Sequence, residues 1–499
     1  LQYAWIRLLC GDTSLPFAVG DDDQSIYGWR GARIENIQNF SQHFAQTNTI
    51  KLEQNYRSTG NILKAANAVI AHNEARMGKN LWTDQGDGNP VQLYAAFNEL
   101  DEARYSASRI EQWVTEGGQY QDIAILYRSN AQSRVFESTL NERGIPYRVY
   151  GGLRFFERAE IKDALCYLRL TVNRHDDPSF DRVINQPTRG IGNKTVDIIR
   201  QAARDQRISL WQAAKALVDA NSFTPRAGTA VRGFIQLINS LSDELIDLSL
   251  EEQVEKVILA SKLKAHYLKK DKGDIGQARI ENLNELISAA QGFHYKPDDD
   301  HADMDFLTAF LSHASLEAGE GQAKAGDNCV QLMTLHSSKG LEFPLVFLTG
   351  MEEGLFPSDR SIDEVGKLEE ERRLCYVGIT RAEKQLVISY TEQRRLYGNM
   401  SYNLPSRFLD EIPDSVTHEI RPKTNIWQSN YSKPKPKLKS AGKFNETGIN
   451  IGQSVKHAKF GEGVVIDVEG TGDHARVQVN FESEGSKWLV LNYANLQVL

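Results

Sequence analysis

Cysteine is scarce and scattered in this sequence. Cys10, Cys166, Cys329 and Cys375 are the four in 499 residues, and no two form a Cys-x-x-Cys pair. That spacing argues against a zinc knuckle or a disulfide framework and suits a reducing cytoplasm. No apolar run reaches the roughly twenty residues that cross a bilayer, so no membrane partner is expected. A secretory pattern does not open the chain. Excess basic charge is missing as well, since the formal net charge is −8. An overall basic coat for nucleic acid is thereby excluded, but a local basic groove is not. Finally, there is no G-x-x-x-x-G-K-[ST]. The Gly-Lys pairs at 78–79, 366–367 and 442–443 lack the spaced glycine and the following Ser or Thr. A nucleotide motor needs such a loop to cradle phosphates and an acid to hold Mg²⁺.

What is present centres on residues 20–33, GDDDQSIYGWRGAR. The triplet Phe17-Ala18-Val19 before it reads as the end of a buried strand. Three carboxylates, a glutamine, two aromatics and two arginines then follow where a strand ends. Open α/β sheets bind their ligands at such places. Gln24 both donates and accepts, so it can sense a phosphate or an attacking water. Tyr27 and Trp29 offer flat faces for unpaired bases. The bland alternative is an acidic surface loop anchored by one aromatic.

Further along, the predicted strand Thr49–Leu52 leads into LEQNYRSTGNIL. Ser58-Thr59 signals the start of a helix through Ile62, Leu63, Ala66 and Ile70. Tyr56 and Arg57 just before it suit a base and a phosphate. From 91 to 150 strands and helices alternate, which predicts a parallel sheet. Arg128 and Asn130 follow the strand Ile123–Tyr127. A DNA phosphate contact and an ordinary loop hydrogen bond weigh equally there.

After Gly151-Gly152 the rhythm turns helical, with helices expected at 160–173, 194–204, 209–220, 226–247, 251–260 and 276–292. Within it, Thr188-Arg-Gly190-Ile-Gly192 precedes a helix start and can offer backbone N–H groups to a phosphate. A tight interhelical turn is the equal alternative. Residues 296–305 read as an exposed loop, with His301 as plain surface. The strand 328–334 then ends in TLHSSKGLEF, whose Thr334 and His336 can line a DNA backbone while Glu342 suits a sugar hydroxyl. A Ser–His hydrolase reading fails for want of a nucleophile elbow. KLEEERRLCYVGITRAE (367–383) is a predicted helix with acids first, as the macrodipole favours, and Tyr376 in the core. Residues 421–447 read as a flexible basic linker, and 448–499 as short strands of a small β-barrel.

These motifs resemble, in order, motifs III (GDDDQSIYGWRGA), IV (QNYRS), V (TLHSSKGLEF) and VI (VGITRA) of the UvrD/PcrA/Rep family of superfamily 1 DNA helicases. The resemblance covers nearly all 499 residues. It implies RecA-like motor domains: the remainder of a first in 1–53, and a second in 54–150 and 327–420. It also implies a helical insertion at 151–326 and a Tudor/SH3-like barrel at 448–499. The implied activity is ATP-dependent 3′→5′ unwinding in nucleotide-excision and mismatch repair. Tyr56 would stack on adenine, Glu342 bind ribose, and Arg57 and Arg381 hold the γ-phosphate. Gln24 would couple phosphate state to Tyr27 and Trp29, while Thr188, Gly190 and Gly192 grip duplex DNA as a helix-hairpin-helix does. Implied partners are single-stranded DNA, junctions, RNA polymerase and repair proteins, in a bacterial cytosol. ATP and Mg²⁺ are the implied cofactors, the Mg²⁺ ligands expected upstream of Leu1 in a segment this chain would lack. The rival expectation is a non-catalytic DNA- and partner-binding module. A nuclease fusion is disfavoured, because no carboxylate–lysine cluster follows 383.

Overall fold

The computed structural model describes residues 2–11, 14, 16–44, 47–74, 76–271, 273–294, 304–319, 326–362, 364, 366–396, 399–420, 453–469, 476–481, 485–490, 494 and 496–498. The basic linker, His301 and most of the acidic 296–305 loop lie outside the described residues. No described helix is long and apolar enough to cross a membrane.

The first unit, 1–424, is built on one parallel sheet. Its strands are β1 (Val91–Ala96), β2 (Ile123–Tyr127), β3 (Tyr147–Val149), β4 (Val330–Thr334), β5 (Phe343–Leu348), β6 (Ala382–Thr391) and β9 (Thr417–Glu419). They lie in the order β3-β4-β2-β5-β6-β1-β9, and every neighbouring pair is parallel. A short hairpin, β7 (Arg394–Leu396) and β8 (Asn399–Ser401), follows β6.

The sequence Ile-Ala-Ile-Leu-Tyr of β2 is apolar throughout because both faces of the sheet are covered. Ala124 and Leu126 face a core with Ile62, Val69, Leu374 and Val377. Ile125 and Tyr127 face the opposite core, with Ile110, Phe136 and Leu140. The helices supplying those cores are Gly60–Ile70, Lys367–Ile379, Glu99–Thr115 and Ser133–Glu142. Pro344 lies inside β5, at a register shift between Phe343 and Leu345. A bulge is where a strand tolerates the missing N–H of proline.

Between β3 and β4 the chain forms helices Ala159–Val172, Asp177–Val183, Asn193–Gln206, Leu210–Asp219, Pro225–Glu244, Leu250–Ser261, Leu263–Lys270, Asp274–Gln291 and Phe306–Gly319. They share a core of their own around Tyr167, Phe180, Trp211, Phe234, Leu283 and Phe310. The pieces 177–183, 263–270 and 306–319 were not expected from the sequence. The first two are too short to establish a 3.6-residue period.

Three further expectations fail. Phe17–Val19 is not a buried strand end; Phe17 and Val19 are 95% and 82% exposed. Residues 49–52 form no strand either, and Ile50 and Leu52 stand exposed. A strand exists only with a hydrogen-bonded neighbour, and among the described residues neither segment has one. The helix predicted to run to 383 stops at Ile379 because Ala382 already starts β6.

In the second unit, 425–499, strands Ser454–His457, Gly461–Glu469, Arg476–Phe481, Gly485–Val490 and Gln497–Val498 are β10 to β14. They form an antiparallel sheet in the order β13-β12-β11-β10-β14. Val455, Val465, Val477, Val479 and Phe481 make its core, and the short strands expected of a small β-barrel there are present.

Candidate nucleotide and nucleic-acid site

The Asn55 side chain accepts from the N–H groups of Arg57 and Ser58 at 2.9 and 2.8 Å and bends the chain into a turn. Ser58 Oγ then donates to the Ala382 carbonyl at 2.6 Å, pinning that turn to the start of β6. The Phe343 N–H donates to the Arg381 carbonyl, so the start of β5 lies alongside. These bonds gather Arg57, Glu342 and Arg381 at the amino ends of two central strands. Arg57 Nε bonds Glu342, and its Nη1 donates to the Thr380 carbonyl at 3.3 Å.

Arg381 is 2% exposed. It donates to the carbonyls of Val377 (3.0 Å) and Leu341 (2.9 Å) and to Thr380 Oγ1 (3.2 Å). Burial and the nearby positive charge of Arg57 lower its pKa to about 10, so it stays charged at neutral pH. Tyr56 is 76% exposed, its hydroxyl donating to Gln54 at 2.8 Å.

The 21–31 loop makes two 3₁₀ turns, Asp22–Gln24 and Gly28–Arg30. Its acids are not free. Arg76 grips Asp23 with two bonds of 2.7 and 2.8 Å, the Met77 N–H donates to Asp22, and Lys79 pairs with Asp21. Gln24 Nε2 donates to Asp21 at 2.6 Å. The three carboxylates come within 4.8 Å of one another, yet two cations and a backbone N–H already occupy them. A Mg²⁺ ion there would have to displace those partners.

On its other side the loop meets the β4–β5 turn. Lys339 Nζ donates to the Gln24 carbonyl at 2.7 Å and lies 5.1 Å from the Tyr27 ring centroid. The Tyr27 hydroxyl donates to the His336 carbonyl at 3.4 Å. Thr334 Oγ1 caps this turn, 3.0 Å from Ser337 Oγ. His336 is half-buried, and burial, Arg128 and Arg30 push its pKa down to about 3. It is a neutral imidazole at physiological pH and cannot serve as a cation for phosphate.

Arg128 is held by Glu371 at 2.8–3.1 Å, so a phosphate must compete with that carboxylate. Asn130 is exposed, its carbonyl accepting from Arg158. Thr188, Gly190 and Gly192 are exposed at the start of helix Asn193–Gln206. Asn185 braces that turn from within, and Arg189 points inward onto Tyr167. Its bonds stay inside the helical insertion, and it does not join the cluster at the sheet. Trp29 contributes the backbone of the second 3₁₀ turn.

The UvrD/REP helicase N-terminal domain model matches residues 1–45, and the UvrD-like helicase C-terminal domain model matches residues 50–393. The chain belongs to the UvrD-like helicase family. DNA helicase II of Escherichia coli (strain K12) is 54% identical over 499 residues, covering all of this chain and 68% of that protein. DNA helicase II of Haemophilus influenzae is 54% identical over 498 residues, covering all of the chain and 68% of that protein. ATP-dependent DNA helicase PcrA of Bacillus subtilis is 39% identical over 513, covering 99% and 68%. Residues 451–497 match the PcrA/UvrD tudor domain.

In this helicase-family enzyme, sequence reasoning missed Arg76, Lys79, Lys339, Glu370 and Arg373. Lys339 was visible within TLHSSKGLEF but was given no task. Glu370 and Arg373 lay within the predicted helix KLEEERRLCYVGITRAE with no partner assigned; Arg373 is 8% exposed and bonds the Ser25 carbonyl.

Proposed function

We propose that this chain forms the nucleotide-sensing and strand-gripping part of an ATP-dependent 3′→5′ DNA helicase. The observation that carries the reading is the pair Arg57 and Arg381, close enough for one to depress the pKa of the other. Glu342 pairs with Arg57, and it and Asp21 also attract Arg381. A polyphosphate brought to that spot would relieve the repulsion between the two arginines, and positive charge there offsets charge developing on a transferred phosphoryl group. ATP supplies the phosphoanhydride whose cleavage drives movement. Arg57 would swing from Glu342 onto the γ-phosphate, freeing Glu342 for the ribose, while exposed Tyr56 would stack on adenine. Gln24 and Lys339 would pass the change to Tyr27 and Trp29, on which bases of the single strand stack. Arg128, Asn130, Thr334 and His336 would line the same strand, and Thr188, Gly190 and Gly192 would grip the duplex.

In this reading 54–150 with 327–420 is one motor domain, the 151–326 helices are an accessory domain, and 448–499 docks partners such as RNA polymerase or repair proteins. Nucleotide-excision and mismatch repair in a bacterial cytosol are the proposed setting. No step is assigned to Mg²⁺. One rival is a DNA-binding module without turnover. ATP hydrolysis with single-stranded DNA separates the two. The full-length protein should turn over, and Arg57→Ala or Arg381→Ala should each slow it by about a thousandfold, the low end of what a phosphoryl-binding arginine supplies. Undiminished turnover in both variants would defeat the assignment.

A further inference from the structure

Helix Lys367–Ile379 does more than fill the core. Glu370 accepts the Gly28 N–H at 2.7 Å, and Arg373 Nε donates to the Ser25 carbonyl at 2.9 Å. The residues between them are also engaged: Glu371 holds Arg128, and Arg372 holds Glu411 and Asn73. The two grips on the loop fall on either side of Tyr27. Both reach backbone atoms, so they fix where the loop runs whatever side chains it carries. A Cβ at Gly28 would come within 2.7 Å of a Glu370 oxygen, so a larger residue there would push the carboxylate off the N–H it accepts. Arg373 is buried, which lowers its pKa, while Glu369 and Glu370 act in the opposite direction.

The same helix ends at Ile379, and Thr380 and Arg381 follow directly. At 1.5 Å per residue, Arg373 and Arg381 stand about 12 Å apart along the axis, with hydrogen-bonded helix spanning most of that distance. A shift of Arg381 therefore reaches Arg373 and Glu370 with little loss.

We propose that Glu370 and Arg373 are positioning residues that tie the Tyr27 loop to the helix leading to Arg381, so that nucleotide contact at Arg381 sets the position of the strand-stacking loop. The inference rests on the ATP-and-DNA reading above and adds the physical link between its two halves. Gln24 and Lys339 join the loop to the β4–β5 turn; Glu370 and Arg373 join it to the helix that carries the arginine.

The test measures ATP consumed per base pair unwound, using the full-length protein on a duplex with a single-stranded tail. Glu370→Ala and Arg373→Ala are each expected to raise that ratio about tenfold, the factor carried by one hydrogen bond to a charged group. Glu370→Gln keeps an acceptor oxygen for the Gly28 N–H and should restore the ratio. An unchanged ratio in both alanine variants overturns the proposal. So does a parallel loss of thermal stability, turnover and unwinding that Glu370→Gln does not rescue, because that pattern marks a packing role alone. Arg381→Ala is the separate control: if it leaves turnover intact, the nucleotide reading itself fails, and this link fails with it.

Discussion

Arg394 is a buried cation held between two carboxylates. Its side chain is 3% exposed, between Glu102 and Glu352, both 0% exposed. It donates to Glu102 at 2.7 Å and to Glu352 at 2.7, 3.0 and 3.1 Å. Burial works against its charge, but the two carboxylates more than offset this and hold its pKa well above the usual arginine value. The cluster joins helix Glu99–Thr115, the end of β5 and the hairpin β7. Arg394→Met keeps most of the volume and removes the positive charge. Glu102 retains the Gly350 N–H and Ser389 hydroxyl, and Glu352 retains the Thr391 N–H and hydroxyl. Neither retains a cation, and two buried carboxylates are left facing each other. Breaking a buried pair in this way costs about 3–5 kcal/mol. At roughly 2–4 °C per kcal/mol for a domain of this size, the melting temperature should fall by about 6–20 °C. Differential scanning calorimetry at pH 7.5 reads that directly. Adding Glu352→Gln to Arg394→Met should recover part of the loss, since one uncompensated charge is gone. A fall of less than about 2 °C, below what even 1 kcal/mol produces, would refute the reasoning and mean that water reaches the cluster.

Other outcomes follow from the same geometry. Burial, with Glu137 and Glu142 nearby, raises the pKa of Glu317 to about 7, above its unfolded value near 4.5. The folded state therefore holds this proton more tightly, and stability is lost as pH rises through 7. Glu317→Gln should thus raise the melting temperature at pH 8 and change it little at pH 4.5, in paired scans at the two values. His336→Gln should weaken single-stranded DNA binding without altering its pH dependence between 5 and 8, because the native imidazole is already neutral there; fluorescence anisotropy across that range is the check. Lys339→Met removes a hydrogen bond from a charged donor and a cation beside the Tyr27 ring, so single-stranded DNA affinity in the same assay should drop about tenfold.

Some of this was legible in the residues. The run Ile123–Tyr127 announced a strand buried on both faces, and the helix through Ile62, Leu63, Ala66 and Ile70 announced its inner side. Arg57, Glu342 and Arg381 could be named in advance because their motifs are long and specific, and the fold brings them together. Apolar triplets such as Phe17–Val19 misled, because hydrophobicity does not say whether a neighbouring strand exists to pair with. The partners of Glu370 and Arg373 were not legible at all. A helix period shows which residues face inward, but it cannot show that an inward charge will meet a partner from another segment.

The outermost strand β3 lies directly against β4, with Tyr147 opposite Val330 and Val149 opposite Leu332. All of residues 150–329 therefore departs and returns at one edge of the sheet. Closing so long an excursion is only modestly harder than closing a short one, since the entropic term grows with the logarithm of length. Lengthening that appendage away from Glu281 and Glu285, which bond Ser129 and Arg134, costs the strands beside it little.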